Sequence, residues 1–447
     1  MLVAKSEQAM LEQQEPIHTN AIDKRGLSAT IRRVRVIPRF RTPRSCLFRF
    51  RERWTNALIP LRAFLLISLF TVALSSNTGW RILAAEETDK GHLHGGIEID
   101  PEGIKAAVIQ VSDADQGAGA KVVFTEEFNV ALRRDQDGRF TQEVVKTAAR
   151  AIQEYHTIIR QQYEVPAQQI YVIGSSDFDA SDLEQLAKEV RSNIGAGIAF
   201  LSAESEARLN VIGTIPRRYK EGETWFDNRS QSVVIDIGSI KTKGAYQQYR
   251  QPLVGAPYYD FVAVEIPTGI ANFTDEINRA AGENAGVNKF ATSARALSGS
   301  FIKAPLRGEL KRKPGLEYRK KIYLNGAIVR AMMTLLHPDD RRPLVPLTME
   351  DIDVFHERAV TSPQALLNPN LSRIRSDEIR KEVEKELEAV KISFTTKNLI
   401  AGAEILKSIA SECNFQEEGK KIFYARFSNM SLISSYLLLR AADAPQP

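Results

Sequence analysis

The sequence predicts an α/β protein of two similar lobes with mixed sheets, a helical C-terminal region and a hydrophobic segment ahead of the first lobe. Three observations predict it. Strand and helix patterns alternate from Gly95 onward. The strand–turn–strand opening at 95 recurs at 232. The 447 residues, 43% of them hydrophobic, are enough to bury two or three cores.

Gly96–Asp100 reads as a strand, Pro101-Glu102-Gly103 as a turn, and Ile104–Val111 as the next strand. Val122–Val130 is a third strand, followed by a loop at Asp135–Gly138. Phe140–Tyr163 has the spacing of a long amphipathic helix. Gln169–Gly174 is a buried strand, Ser181–Asn193 a helix, Ala199–Leu201 a strand and Glu204–Ile212 a helix. After the polar stretch Arg217–Gln231 the plan restarts with the strand Ser232–Gly238, its hairpin partner Gly244–Tyr249, and Val262–Pro267. Lys321–Leu324 runs through Asn325-Gly326 into the helix Ala327–Leu336. The last third is mostly helical, with a charged helix at Ser376–Lys391 that reads as a solvated face. Ile422–Arg426 and the helix Leu432–Arg440 close the chain. Alternation of this kind implies mixed sheets with helices packed on them. The expected units are a basic, disordered leader over 1–56, an apolar segment over 57–77, lobes over 92–215 and 230–430, and a C-terminal helix and tail over 431–447.

The net charge of +5 belongs to the leader. Residues 1–62 hold 13 Lys and Arg against 5 Asp and Glu, which leaves 47 basic and 50 acidic residues to the rest. The body is slightly acidic, so nucleic acid is not expected as a partner. Arg62 precedes the uninterrupted apolar run Ala63–Leu74, and small residues follow at Ser75, Ser76, Ala84 and Ala85. A basic flank, a short apolar core and a small-residue exit are the parts of a secretory signal. Counted from Ala57 the run reaches about 18 residues, near the minimum for a span. A cleaved signal and a single-pass anchor both remain open. Either places the body in the cell envelope, outside the cytoplasmic membrane.

Two cysteines, Cys46 and Cys413, exclude a disulfide framework and a thiolate zinc cage. Cys413 reads as a core residue. His92 and His94 could share one side of a strand, but without a third ligand nearby they read as a solvated strand start.

Ligands in such folds bind where strands end in tight turns. In Gly96–Lys105, alternation puts Glu98 and Asp100 on one face, where two carboxylates can hold magnesium or form a polar strand face. In Val233–Lys243, Asp236 interrupts an apolar run, where a carboxylate needs a partner or a metal. Gly238 lets the backbone approach a ligand, and Ser239, Lys241 and Thr242 offer phosphate donors. In Phe200–Leu209 a strand feeds a helix whose first turn carries Glu204 and Glu206, which also suits simple dipole compensation.

In order, these segments resemble the exopolyphosphatase/guanosine pentaphosphate phosphatase (Ppx/GppA) family of the actin-like superfamily. The family pattern D-I-G-S-N-S falls on Glu98–Lys105, and T-S-A-x-R on Ile173–Asp177. S-G-x-E-E-A-R-L falls on Ser202–Leu209, and D-I-G-G-G-S-T-E on Asp236–Thr242. A glycine turn and I-x-A-G-A-x-I-L fall on Leu324–Ala327 and Asn398–Leu406. The resemblance covers roughly 95–440 and implies two actin-like, ribonuclease H-like lobes.

It implies a phosphoanhydride hydrolase with Glu206 as the base that activates water. Glu98, Asp100 and Asp236 would hold Mg2+, while Gly238, Ser239, Lys241 and Thr242 would hold the phosphate of a phosphorylated small molecule or polyphosphate. The departures are Glu98 for the first aspartate, Asp100 for a glycine, Asp177 and Asp179 in the neighbourhood of an arginine, and Ser239 and Ile240 for two glycines. They leave open a non-catalytic binding or scaffold protein of the envelope.

Overall fold

The computed structural model describes residues 92–111, 120–130, 132, 140–178, 183–216, 218–221, 224–252 and 258–443. The leader, the apolar segment 57–77 and the loop at 135–138 lie outside them. Among the described residues no helix is long and apolar enough to cross a membrane.

The first sheet has five strands: β1 (His92–Asp100), β2 (Gly103–Val111), β3 (Ala120–Asn129), β4 (Ile170–Gly174) and β5 (Ile198–Phe200), in the order β3-β2-β1-β4-β5. Pairing is antiparallel from β3 to β1 and parallel from β1 to β5. Helix α1 (Gln142–Gln162) is capped by Thr141, whose side chain accepts from the Val144 N–H. Its apolar face packs Val145, Ala148, Ile152 and Ile159 against Ile97, Ile99 and Val172 of the sheet. Helix α2 (Glu184–Ile194) adds Leu186 and Val190 and ends on Gly195 in the left-handed region.

Helix α3 (Ala203–Thr214) joins the lobes. Leu209 belongs to one cluster with Ile433 and Leu437, while Ala207 and Val211 belong to another with Val234, Ala245 and Tyr323. A helix buried on two sides shows no single apolar stripe, so its sequence does not announce what it packs against. The polar stretch that follows forms a two-stranded ribbon, β6 (Arg218–Glu221) and β7 (Thr224–Asp227), that its composition does not predict.

The second sheet repeats the plan. Its strands are β8 (Ser232–Ile237), β9 (Thr242–Arg250), β10 (Tyr258–Ile266), β11 (Lys321–Asn325), β12 (Leu344–Leu347) and β13 (Lys421–Ala425), in the order β10-β9-β8-β11-β13-β12. Again the hairpin side is antiparallel and the β8-β11-β13 side parallel. Helices α4 (Ile270–Ala281), α5 (Val287–Ser298), α6 (Ala304–Arg312), α7 (Ala327–Leu336), α8 (Met349–Thr361), α9 (Pro363–Leu366), α10 (Asp377–Ser393) and α11 (Thr396–Glu412) build the larger core on it. The charged helix α10 is not only a solvated face, because Val383, Leu387 and Val390 form a buried stripe along it.

The C-terminal helix α12 (Ser431–Asp443) crosses back to the first lobe. There Ile433 and Leu437 pack where Gly96 leaves no side chain. Cys413 is in the core as expected, at 1% exposure. His94 is buried at 3%, not solvated, and burial lowers its pKa.

Candidate functional site

The two sheets face one cleft that is open to solvent. Seven carboxylates and four side-chain cations line it.

On the first wall, alternation along β1 buries Ile97 and Ile99 in the lobe core and turns Glu98 and Asp100 toward the cleft. Lys105 on β2 stands opposite Glu98 in the hairpin register. Its Nζ lies 3.2 Å from Glu98 Oε1 and 3.4 Å from Asp100 Oδ2. The second oxygen of Glu98 is buried without a hydrogen-bond partner. Burial pushes the Glu98 carboxyl up to about 7 against the pull of Lys105, with Asp100 adding to the rise. Burial and Asp100 raise Glu102 in the same turn to about 8.

At the end of β4 the chain turns through Ser175, whose N–H donates to the Ile99 carbonyl at 2.9 Å. This turn faces the start of α3. Ser202 caps that helix by accepting from the Ser205 N–H, which directs Glu206 inward while Glu204 stays exposed. Glu206 is 4% exposed. Its Oε2 accepts from the Ser176 N–H at 2.7 Å and from Ser175 Oγ at 3.3 Å. Its Oε1 lies 2.7 Å from Lys243 Nζ.

Lys243 comes from the other lobe. It sits on β9 opposite Asp236, as Lys105 sits opposite Glu98. Its ammonium also lies 2.9 Å from Asp177 Oδ2 and 3.2 Å from Ser175 Oγ. Burial would raise Glu206, but Lys243 and the Ser176 N–H outweigh it and hold the carboxylate below its ordinary range. Burial of Asp177 outweighs the same lysine, and Glu206 adds repulsion, so Asp177 is raised. Glu206 and Asp177 together outweigh the burial of Lys243 and raise its pKa.

The Gly238 turn closes the second wall. Gly238 N–H donates to the Lys241 carbonyl at 3.0 Å, and the carbonyls of Gly238 and Ser239 accept from the first N–H groups of α4. Gly269 lets that helix come so close, since a Cβ there would lie 2.4 Å from the Ser239 backbone. Asp236 is half-buried; burial raises it to about 6, opposed by Lys243. Gly326, at φ 98, passes beside it, where a Cβ would meet Ile237 O at 2.3 Å. Lys241 reaches the Ser176 carbonyl at 3.3 Å, and Arg330 on α7 pairs with Glu127 on β3 at 3.0 Å. Three cations of the second lobe thus hold acceptors of the first.

Of the expected site residues, Glu206, Glu98, Asp100, Asp236, Gly238, Ser239 and Lys241 all line this cleft. Thr242 does not. Its buried hydroxyl donates to the Thr268 carbonyl at 2.8 Å, which leaves it no phosphate to hold. The expected magnesium set is not gathered round one point. Glu98 and Asp100 close on Lys105, Asp236 lies on the opposite lobe, and among the described residues no group of three or more His, Cys, Asp or Glu is arranged to hold a metal ion. The orphaned oxygen of Glu98 is a single buried atom and does not make a magnesium site, which needs several oxygens in octahedral array. The donor set therefore does not fit a resident Mg2+.

Lys105, Lys243, Glu127 and Arg330 were not marked by the sequence. For Lys243 a signal existed: the pattern D-I-G-G-G-S-T-E laid on Asp236 puts its closing glutamate at Lys243.

No protein-family profile matches the chain, and no curated protein matches it. Solved structures do. An exopolyphosphatase-like protein is 15% identical with TM-score 0.55, covering 77% of this chain and 97% of its own. An exopolyphosphatase from Cytophaga hutchinsonii is 10% identical with TM-score 0.55, covering 79% and 99%. The Aquifex aeolicus PPX-GPPA enzyme is 14% identical with TM-score 0.49, covering 78% and 99%. At these identities the likeness is one of architecture, and the described body has the two-lobed, actin-like fold of the exopolyphosphatase structures.

Proposed function

We propose that this chain is a divergent, phosphatase-like protein of the Ppx/GppA type that acts on phosphoanhydride bonds of a polyphosphate-type anion in the interlobe cleft. The observation that carries this reading is Glu206, a carboxylate held ionised at the start of α3 on the cleft wall. Its Oε1 contacts Lys243 and keeps a second lone pair for a water. As the water oxygen bonds to the terminal phosphorus, Glu206 takes the proton. The bond from that phosphorus to the bridging oxygen breaks, and the shortened chain leaves with the electron pair. Ser239 and Lys241, which line the cleft, would meet the phosphate oxygens. The apolar run before the body makes the cell envelope the proposed location, which a reporter fused after Pro447 tests: a signal confined to the cytoplasm contradicts it.

The test of activity is phosphate release from polyphosphate by the purified protein, beside Glu206→Gln. Release that falls at least 100-fold in the variant supports the base. No release from either protein, or equal release from both, removes it.

A second reading has its own observation. Asp177 stands near the place of the pattern's arginine, and Lys243 stands in the place of its glutamate. A carboxylate repels phosphate where an arginine would clamp it. This reading is an envelope binding protein without turnover, and polyphosphate binding with no release in the same assay supports it.

A further inference from the structure

Asp177 and Glu206 bring two carboxylates into one poorly solvated corner of the first lobe, their side chains 6% and 5% exposed. Like charges so placed require a cation. The ammonium of Lys243 meets Asp177 Oδ2 at 2.9 Å, Glu206 Oε1 at 2.7 Å and Ser175 Oγ at 3.2 Å. An ammonium has three donors, and all three are engaged here. Lys243 is therefore not a free phosphate ligand.

The arrangement occurs twice. Lys105 bridges Glu98 and Asp100 at 3.2 and 3.4 Å from within its own lobe. Each lysine follows a strand carboxylate by seven residues and lies across from it in the hairpin register, Glu98 with Lys105 and Asp236 with Lys243. Four of the cleft carboxylates are thus bridged in pairs by side chains.

We propose that Lys243 is a built-in replacement for a divalent cation, and that Lys105 serves Glu98 and Asp100 in the same way. Two carboxylate oxygens and a hydroxyl are the donors that hard divalent cations take. The lysine both fills that oxygen set and neutralises it. The free protein then takes up no magnesium or manganese at this cleft. Unlike an ion, the tethered ammonium cannot be removed by a chelator, and it joins the second lobe to the first. The inference concerns the same cleft as the phosphatase reading, but it rests on the oxygen set and not on turnover.

Manganese is the probe, read by loss of the free aquo-ion signal in electron paramagnetic resonance on the full chain without substrate. Wild type should leave the signal unchanged at equimolar metal. Lys243→Ala should bind one manganese per chain, and adding Asp177→Asn to it should abolish that binding. Uptake by wild type that disappears in Asp177→Asn overturns the proposal. So does a folded Lys243→Ala, checked by circular dichroism, that binds none. Should Lys243→Ala fail to fold, the wild-type measurement with its Asp177→Asn control decides alone. An inactive protein leaves each of these readings intact, so failure of the phosphatase reading is separately visible.

Discussion

The two lobes open with the same hairpin and use it differently. In the first, the lysine opposite the strand acid stays at home: Lys105 bridges Glu98 and Asp100 of its own lobe. In the second, Lys243 leaves Asp236 beside it and crosses the cleft to Asp177 and Glu206. One hairpin neutralises itself and the other ties two lobes together. Strand register fixes where an ammonium starts, while the neighbouring lobe decides where it ends.

The two lysines are the most sensitive points of the two hairpins. Removing either leaves buried carboxylates uncompensated, at a cost of about 3–5 kcal/mol in urea denaturation. Lys243→Met should in addition loosen the lobes and enlarge the radius of gyration in solution scattering, whereas Lys105→Met should not. Equal scattering from both would remove the distinction between an internal and a crossing lysine.

The strand-to-helix turns offer a second contrast. Gly326→Ala forces a Cβ to within 2.3 Å of the Ile237 carbonyl at φ 98, and should cost about 1–3 kcal/mol. At the end of β4 a Cβ on Gly174 comes close only to side chains, the Phe200 ring at 2.9 Å and Ile198 at 3.5 Å, and the ring can shift. Gly174→Ala should therefore lower the melting temperature less than Gly326→Ala.

Titration should separate Glu98 and Glu102 from Glu206 by sign. Glu98 and Glu102 are raised in the folded chain to about 7 and about 8, so the folded state holds protons there that the unfolded chain has released. Stability should fall as pH rises from 6 to 8, and Glu98→Gln should flatten that limb. Glu206 is depressed, so its contribution is complete above the ordinary glutamate value of 4.5 and is lost as pH falls through its folded value. Asp177, raised by burial, opposes it at the acid end. In denaturation midpoints against pH, Glu206→Gln should remove the acid loss and leave the limb between 6 and 8 in place.

The smallest effect is expected at the cap that aims Glu206. Ser202→Ala should cost about 1 kcal/mol by thermal melting. It should leave the Lys243 contacts intact, because Ser176 and Lys243 hold Glu206 from the far side.

Much of the fold was legible because its signals are local. Alternation of acids and isoleucines marked β1, an apolar run marked β8, amphipathic spacing marked the helices near 140 and 376, and Gly238 and Gly326 marked turns that do come within contact of other backbone. Glu206, Asp236 and Gly238 were placed in the cleft for the same reason: each sits at the end of a strand or the start of a helix. The ribbon at 218–227 was not legible, because its residues carry no apolar alternation. Thr242 read as a phosphate donor because a hydroxyl beside a glycine turn offers one, and only the packing of Thr268 against it removes that role.

By itself, then, the sequence determined two α/β lobes, their order of strands and the acids at their strand ends. Those follow from spacing along the chain, which a reader of one dimension has in full. The tertiary structure decided that Glu206 is paired, that Asp177 lies beside it, that α3 is buried from two sides and that α12 returns to the first lobe. Each depends on groups from fewer than 30 to more than 300 positions apart meeting in space, where charge and burial are settled by neighbours that spacing does not reveal.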